Sequence, residues 1–232
     1  FAMDVGDAAL AVEVRARCPD AVFDWARYPQ VLHPPRQQTR ALADAITDNA
    51  VKMIDECVTA RQPFFMYLAH HAPHWPLHAQ ENDIAKYDGV YTRGWDAVRG
   101  ARHEEMQARN ILLHKWDISR RDDSAMAWQD IKAKDWESRR MAVYAAMIDR
   151  LDQNIGRVLT RLKQHGIHDD TLILFLSDNG GCAEFMAEDG WGKFYPDHHN
   201  DGRKIEIGNR PNLRPGGPLT YMSYDLPWAN VS

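Results

Sequence analysis

The stretch FFMYLAHHAPHWPLHA, residues 64–79, sets a short apolar run against a loop that holds His70, His71, His74 and His78 among Pro73 and Pro76. FFMYLA is too short for a helix and rich in aromatics, which predicts a buried strand of the kind found in parallel sheets. The run stops where the histidines start. A second unit of the same design lies downstream, where TLILFLSDNGG, residues 171–181, again places an apolar run directly before a polar cluster.

A helical pattern precedes each run. In RALADAITDNAVKMIDECVTA, residues 40–60, Ile46, Ala50, Val51, Ile54 and Val58 recur at helical spacing, with Thr47 or Asp48 placed to cap the regular part. In WESRRMAVYAAMIDRLDQNIGRVLTRLKQHG, residues 136–166, the stripe is Tyr144, Met147, Leu151, Ile155, Val158 and Leu162. Arg150, Arg157, Arg161 and Lys163 lie off that stripe, and Gly166 is placed to stop the helix. Helix then strand, twice, predicts an α/β fold. Its two polar clusters are expected at the carboxyl edge of the sheet, where open α/β sheets bind ligands.

The remaining chain supplies shorter pieces. ENDIAKY, residues 81–87, and WDAVRGARHEEMQARN, residues 95–110, read as helices, and HKWDISRRDDSAMAW, residues 114–128, as an exposed connection. After DNGG the chain becomes a long tract rich in glycine and proline, the kind of loop that forms functional lips. Residues 1–38 are set apart as a segment with no clear assignment. Within them ALAVEVRARC, residues 9–18, fits a short strand or a helix, and the prolines of RYPQVLHPPRQ, residues 27–37, predict a loop.

Composition removes several classes. With 28 Lys+Arg against 33 Asp+Glu, a net charge of −5 gives no electrostatic footprint for nucleic acid or an anionic membrane. No apolar run reaches the ~18 residues of a transmembrane helix. Cys18, Cys57 and Cys182 form no CxxC pair, so neither a zinc knuckle nor a disulfide framework is supported. GxSxG, P-loop and GxGxxG sequences are lacking. The chain starts FAMDVGDAAL and ends DLPWANVS, without an initiator Met, an export signal or a terminal cap. Both ends read as cut, and a piece of a longer protein is expected.

Three clusters carry chemistry. Asp178 offers a carboxylate and Asn179 an amide oxygen, donors that suit a hard cation such as Ca²⁺ or Mg²⁺. Gly180 and Gly181 would let the backbone turn and approach a ligand closely. The same letters also describe an ordinary Asn-Gly turn, and two oxygens cannot fill a shell of about six. A zinc site built from His70, His71, His74 and His78 is disfavoured, because Pro73 and Pro76 deny the segment a helical face. For His70, His71 and His78 the favoured reading is hydrogen bonding to backbone in a wet loop. His74 is left open on the residues alone, between that role and one as a donor to an anion or leaving group.

Other polar groups have plainer readings. Asp44, Asp48 and Asp149 are expected to be solvated or capping, and DHHND, residues 197–201, a solvated loop more than a metal site. Trp75, Trp95, Trp116, Trp136, Trp191 and Trp228 are expected in the core or in a lip.

Taken in order, QPFFMYLAHHAPHWPLHA, YAAMIDRLDQNIGRVLTRL and TLILFLSDNGG resemble the middle of a type I sulfatase of the arylsulfatase kind. GGPLTYMSYDLPWANVS resembles the segment that leads to the family's later catalytic lysine. The resemblance covers residues 44–184 and 216–232. It implies an alkaline-phosphatase-like fold, with a central, mostly parallel sheet flanked by helices and here incomplete, so that residues 39–232 form a partial catalytic domain. It implies that His74 is the histidine of the A-P-H-x-P motif, contacting the sulfate and protonating the leaving oxygen. It also implies that Asp178 and Asn179 are the Asp-Asn pair that binds Ca²⁺, or Mg²⁺.

Substrates by resemblance are sulfate esters of small molecules or sulfated sugars, and relatives suggest a periplasmic or secreted setting. The C/S-x-P-x-R motif that yields the family's formylglycine is not present, since the cysteine contexts are RCPDA, ECVTA and GCAEF. The chain by itself is therefore expected to be inactive. Two rival readings stand beside this one: a phosphoryl or phosphonyl hydrolase of the same superfamily, and a catalytically dead binder of sulfated glycans.

Overall fold

A computed structural model describes residues 8–14, 39–112, 116–187, 196–199 and 201–231, with side chains from residue 43 onward. The Pro-based loop reading at 27–37, Cys18 and Trp191 lie outside the described residues. The chain divides into two compact units, one built on His74–Met147 and Asn179–Ser232, the other on Gly6–Pro73 and Ile148–Asp178.

The second unit holds a three-stranded sheet. Strand β1, Ala8–Val14, lies between β2, Phe65–Ala69, and β3, Thr171–Ser177, and is antiparallel to both. The two strands foreseen from the sequence, β2 and β3, thus run in the same direction on either side of β1. Helix α1, Thr39–Thr59, and the part of helix α4, Lys134–Gln164, from Ile148 onward pack on this unit. Ala50 and Ile54 of α1, Val158 and Leu162 of α4, and Phe64, Met66 and Leu68 form one buried cluster. The α1 stripe and the end of the α4 stripe from Ile155 onward are spent there, while Met147 and Tyr144 of α4 belong to the core of the first unit.

One expectation fails. Both strands were read as buried, yet β2 alternates, with Met66 and Leu68 covered while Phe65 and Tyr67 are exposed, Tyr67 by 62%. On β3, Leu172, Leu174 and Leu176 are about half exposed. The register explains these positions, though Phe175, on the other face, is 64% exposed as well. Ala11 stands opposite both Tyr67 and Leu174, and Ala9 opposite both Ala69 and Leu176, so the register places Tyr67, Ala69, Leu174 and Leu176 on one face. Among the described residues that face carries no helical cover, because α1 and α4 take the other.

Ion pairs link α1 to α4. Asp44 accepts from Arg150 (2.7 Å) and Asn154 (2.9 Å), Asp48 pairs with Arg157, and Asp55 accepts from Arg161 (2.7 Å) and His165 Nε2 (2.7 Å). Asp44 is therefore a partly buried cross-helix partner instead of a solvated or capping group, whereas Asp48 is solvated as expected and pairs across the helices as well. Thr47 and Asp48 do not cap, since α1 starts at Thr39 and buries Thr47 completely. The Arg161 hydrogen bond, then that of His165, hold the Asp55 carboxyl down at about 2, below its ordinary 3.8.

The first unit is built around aromatics. Helix α2, Glu81–Ile84, with a 3₁₀ turn at Ala85–Tyr87, and helix α3, Gly94–Ala108, match the predicted helices. Strands β4, Glu206–Ile207, and β5, Thr220–Tyr221, pair in parallel within the long tract, and helix α5, Asp225–Ala229, follows. Trp95 meets Trp128 and Trp228 edge-on at 4.8 and 5.4 Å between ring centroids, a favoured geometry for ring quadrupoles. Trp75, Trp95 and Trp228 are buried, as expected of core residues, whereas Trp116 is exposed.

Arg140 of α4 is buried here with its charge met by Glu137 (2.6 Å), the Ser223 carbonyl (3.1 Å) and the Trp136 face. A buried guanidinium without such partners would be strongly destabilising. No helix of the described residues is long and apolar enough to cross a membrane.

Gly94 opens α3 at φ +80°, and a Cβ there would come within 2.1 Å of the Trp128 ring. Gly94→Ala is expected to cost about 2 kcal/mol or more, read as a lowered urea midpoint of the first unit. For Asp55, a depressed folded value means stabilisation that is present above 3.8 and lost as pH falls through about 2. The gap in unfolding midpoint between wild type and Asp55→Asn should therefore close as pH drops from about 4 to about 2.

Candidate active site

The loop after β2 changes character at each histidine. His70 is buried, and among the described residues neither ring nitrogen has a hydrogen-bond partner. Burial lowers its pKa below the ordinary 6.5. This corrects the wet-loop reading for His70: the ring is packed, because it follows the buried positions Met66 and Leu68 on the same strand periodicity. His78 is buried too, with Nε2–H donating to the Thr220 carbonyl at 2.7 Å, so its bond to backbone is as foreseen but in a dry place.

His74 stands between two prolines, and both the Ala72–Pro73 and Trp75–Pro76 peptides are cis. It is half-buried. Its Nδ1 lies 2.5 Å from the Trp75 carbonyl, and since a carbonyl only accepts, Nδ1 carries the proton. The imidazole also rests against the Trp75 indole, with centroids 4.9 Å apart. Two backbone bonds fix the loop beyond it, Leu77 N–H to Met222 O at 3.0 Å and Ala79 N–H to Gly216 O at 3.2 Å.

At the end of β3, Asp178 is exposed and Asn179 half-buried in a bend. Asn179 shares the first unit with His74, while Asp178 closes the second. Neither Gly180 nor Gly181 takes the left-handed conformation, and a Cβ at Gly180 would meet nothing within 4 Å. A left-handed turn at these glycines is thus not what holds the segment.

Side chains hold it. Cys182 N–H donates to Tyr224 Oη at 2.6 Å, and Met186 N–H donates to Ser223 Oγ at 3.2 Å. Ser223 O–H donates to the Glu184 carbonyl, and Asn209 exchanges bonds with Ser223 on both its backbone and its hydroxyl. Trp75 Nε1–H donates to Glu184 Oε2 at 2.7 Å. Within the first unit, the loop that carries His74 and the tract that follows Asn179 are thereby tied together twice, through Trp75–Glu184 and through residues 216–224. Sequence reasoning did not foresee Glu184, Tyr224, Ser223 or Asn209. Their partners stand between 14 and 109 residues away, and no local spacing signals them.

Asp178 and Asn179 are oxygen donors, and so fit a hard cation in kind. In number they fall short, and among the described residues no group of three or more His, Cys, Asp or Glu forms a metal cage. The histidine loop does not assemble one, and neither does the 197–201 segment, where His199 pairs with Asp201 at 3.0 Å.

Comparison with known proteins gives the same direction. The family model Sulfatase matches residues 17–205, starting inside the segment that the sequence reading had set apart. An uncharacterized sulfatase of Schizosaccharomyces pombe is 38% identical over 56% of this chain and 24% of its own length. The arylsulfatase of Klebsiella aerogenes is 32% identical over 74% of this chain and 35% of its own length, and the human iduronate 2-sulfatase 26% over 76% and 30%. The chain thus spans about a quarter to a third of these relatives.

The buried ring at position 70 makes its own prediction. A depressed imidazole pKa leaves the fold at full stability above 6.5 and weakens it as pH falls below that value, where the unfolded chain takes up the proton first. His70→Leu should lose this dependence: its urea midpoint should stay level between about pH 7.5 and 5, while that of wild type falls. At the upper pH the variant should match or exceed wild type, since a buried N–H without a partner costs about 1–3 kcal/mol.

Proposed function

The chain belongs to the sulfatase family, and on that footing we propose that it is part of a sulfuric ester hydrolase acting on a small sulfate ester or a sulfated sugar. The observation that carries this reading is the presentation of His74. Its Nδ1 proton is committed to the Trp75 carbonyl, so the second proton is gained and lost at Nε2. In the cationic ring, Nε2–H can donate to the bridging oxygen of a sulfate ester as that oxygen departs, which avoids release of an alkoxide or phenoxide. The substrate class follows from the names of the relatives, which include an arylsulfatase, an iduronate 2-sulfatase and an N-acetylglucosamine-6-O-sulfatase.

Asp178 and Asn179 would hold part of the shell of a divalent cation, Ca²⁺ in this reading with Mg²⁺ the near alternative, whose positive charge would face the sulfate oxygens. The chain has no C/S-x-P-x-R sequence and so no precursor of formylglycine. No displacement step is assigned within it, and a longer polypeptide that contains it is the active species. The finer fold reading is an alkaline-phosphatase-like, mostly parallel sheet. β2 and β3 share the direction such a sheet requires, whereas β1 between them is antiparallel to both.

The 232-residue chain should release no 4-nitrophenol from 4-nitrophenyl sulfate, whereas a longer polypeptide containing it should. In that polypeptide His74→Ala should lower kcat by about 10²–10⁴-fold, and Asp178→Asn should weaken Ca²⁺ binding measured by calorimetry. Turnover by the short chain, or undiminished kcat in the His74 variant, would overturn the assignment.

A further inference from the structure

We propose that Glu184 is a positioning residue for His74 and acts through Trp75, an inference that rests on the reading of His74 as the proton donor. Trp75 touches the imidazole in two ways. Its carbonyl takes the Nδ1 proton at 2.5 Å, and its indole lies against the ring at 4.9 Å. Whatever fixes Trp75 therefore fixes both the tautomer and the tilt of His74. The indole is 94% covered, since Trp75 keeps only 6% of its exposure, and a covered indole N–H needs an acceptor. Glu184 supplies one at 2.7 Å from the far side of the chain, 109 residues away.

The acceptor is a carboxylate, and a bond to a charged acceptor is about twice as strong as a neutral one. It is also presented from a fixed backbone. The Glu184 carbonyl is held by the Ser223 hydroxyl, and its N–H points to Cys182 Sγ at 3.4 Å. Glu184 stands five positions beyond Asn179, so the same bond joins the imidazole to the tract that leaves the Asp-Asn pair.

The geometry carries a chemical consequence. In water a neutral imidazole exchanges between two tautomers. With Nδ1–H committed to the Trp75 carbonyl, one tautomer is selected and Nε2 becomes the nitrogen that handles the second proton. Loosening the indole lets the Trp75 peptide and ring shift together, and a misplaced donor costs rate without a lost contact to substrate.

The test reads the tautomer directly, in the ¹⁵N-labelled 232-residue chain at mildly alkaline pH. Two-bond ¹H–¹⁵N correlations report which ring nitrogen is protonated, and a His74→Gln spectrum identifies the His74 signals among the eleven histidines. Wild type should show a single Nδ1–H form. Glu184→Gln, whose amide oxygen still accepts, should keep it. Glu184→Ala and Trp75→Phe should shift toward a mixture containing Nε2–H, with the dispersed amide spectrum of the fold retained. An unchanged tautomer in both variants would overturn the proposal. Collapse of the fold in both would overturn it as well, since the pair would then hold the unit together and not the imidazole.

In the longer polypeptide, Glu184→Ala should lower kcat for a sulfate ester about ten- to a hundredfold with KM little changed, and Glu184→Gln should restore most of the loss. The tautomer measurement needs no turnover. An inactive longer polypeptide would thus remove the sulfatase reading while leaving the positioning role intact, and a wild-type-like tautomer in active variants would do the reverse.

Discussion

Irregular backbone that is half-buried must still satisfy its polar groups, and residues 179–187, which follow β3, lie in no strand ladder. The first unit depends on how that demand is met. Tyr224 and Ser223, adjacent on the chain, reach back to Cys182, Glu184 and Met186, and Asn209 completes the set. The same short segment, through Met222 and Thr220, receives the backbone of Leu77 and the ring of His78. Two loops that each follow a strand are thus held by one strip of chain. Buried Cys182, Met186, Trp75, Leu77 and Tyr224 then pack between them. Networks of this kind tend to be worth more than their separate bonds, because bonds that share a member polarise one another.

Arg140 belongs to that arrangement. Its guanidinium is buried with Glu137, and it also donates to the Ser223 carbonyl, so a residue of the long helix reads the position of the strip. Burial raises the Glu137 pKa against the opposing pull of Arg140. A pair so placed contributes little to net stability compared with hydrocarbon of equal volume. Its value lies in direction, since a planar, forked cation accepts few alternative placements of its partners.

Much of the framework was legible in the sequence. The periodicity around Ile46–Val58 and Tyr144–Leu162, and the stop at Gly166, match α1 and α4 closely, because amphipathic spacing and a left-handed C-terminal glycine are local properties. The two apolar runs are indeed strands. Their burial was misjudged because FFMYLA and TLILFLS state how apolar a strand is, but not how many of its faces meet a helix. The same limit applies to polar partners. Asp44 and Asp48 looked solvated on their own helix, and only the approach of Arg150 and Arg157 makes them a seam. His74, Asp178 and Asn179 are named by motif, whereas Glu184 is not, because its link to the histidine loop is a bond to an indole more than a hundred residues away.

The side of the three-stranded sheet that carries no helical cover among the described residues has a colloidal consequence. Tyr67, Leu174 and their neighbours make a greasy facet on a polypeptide whose net charge is −5. Mutual repulsion between copies is then what holds such facets apart, and it acts over a distance that shrinks to about 3 Å at 1 M salt. Brine is thus a condition under which this chain would be driven to clump.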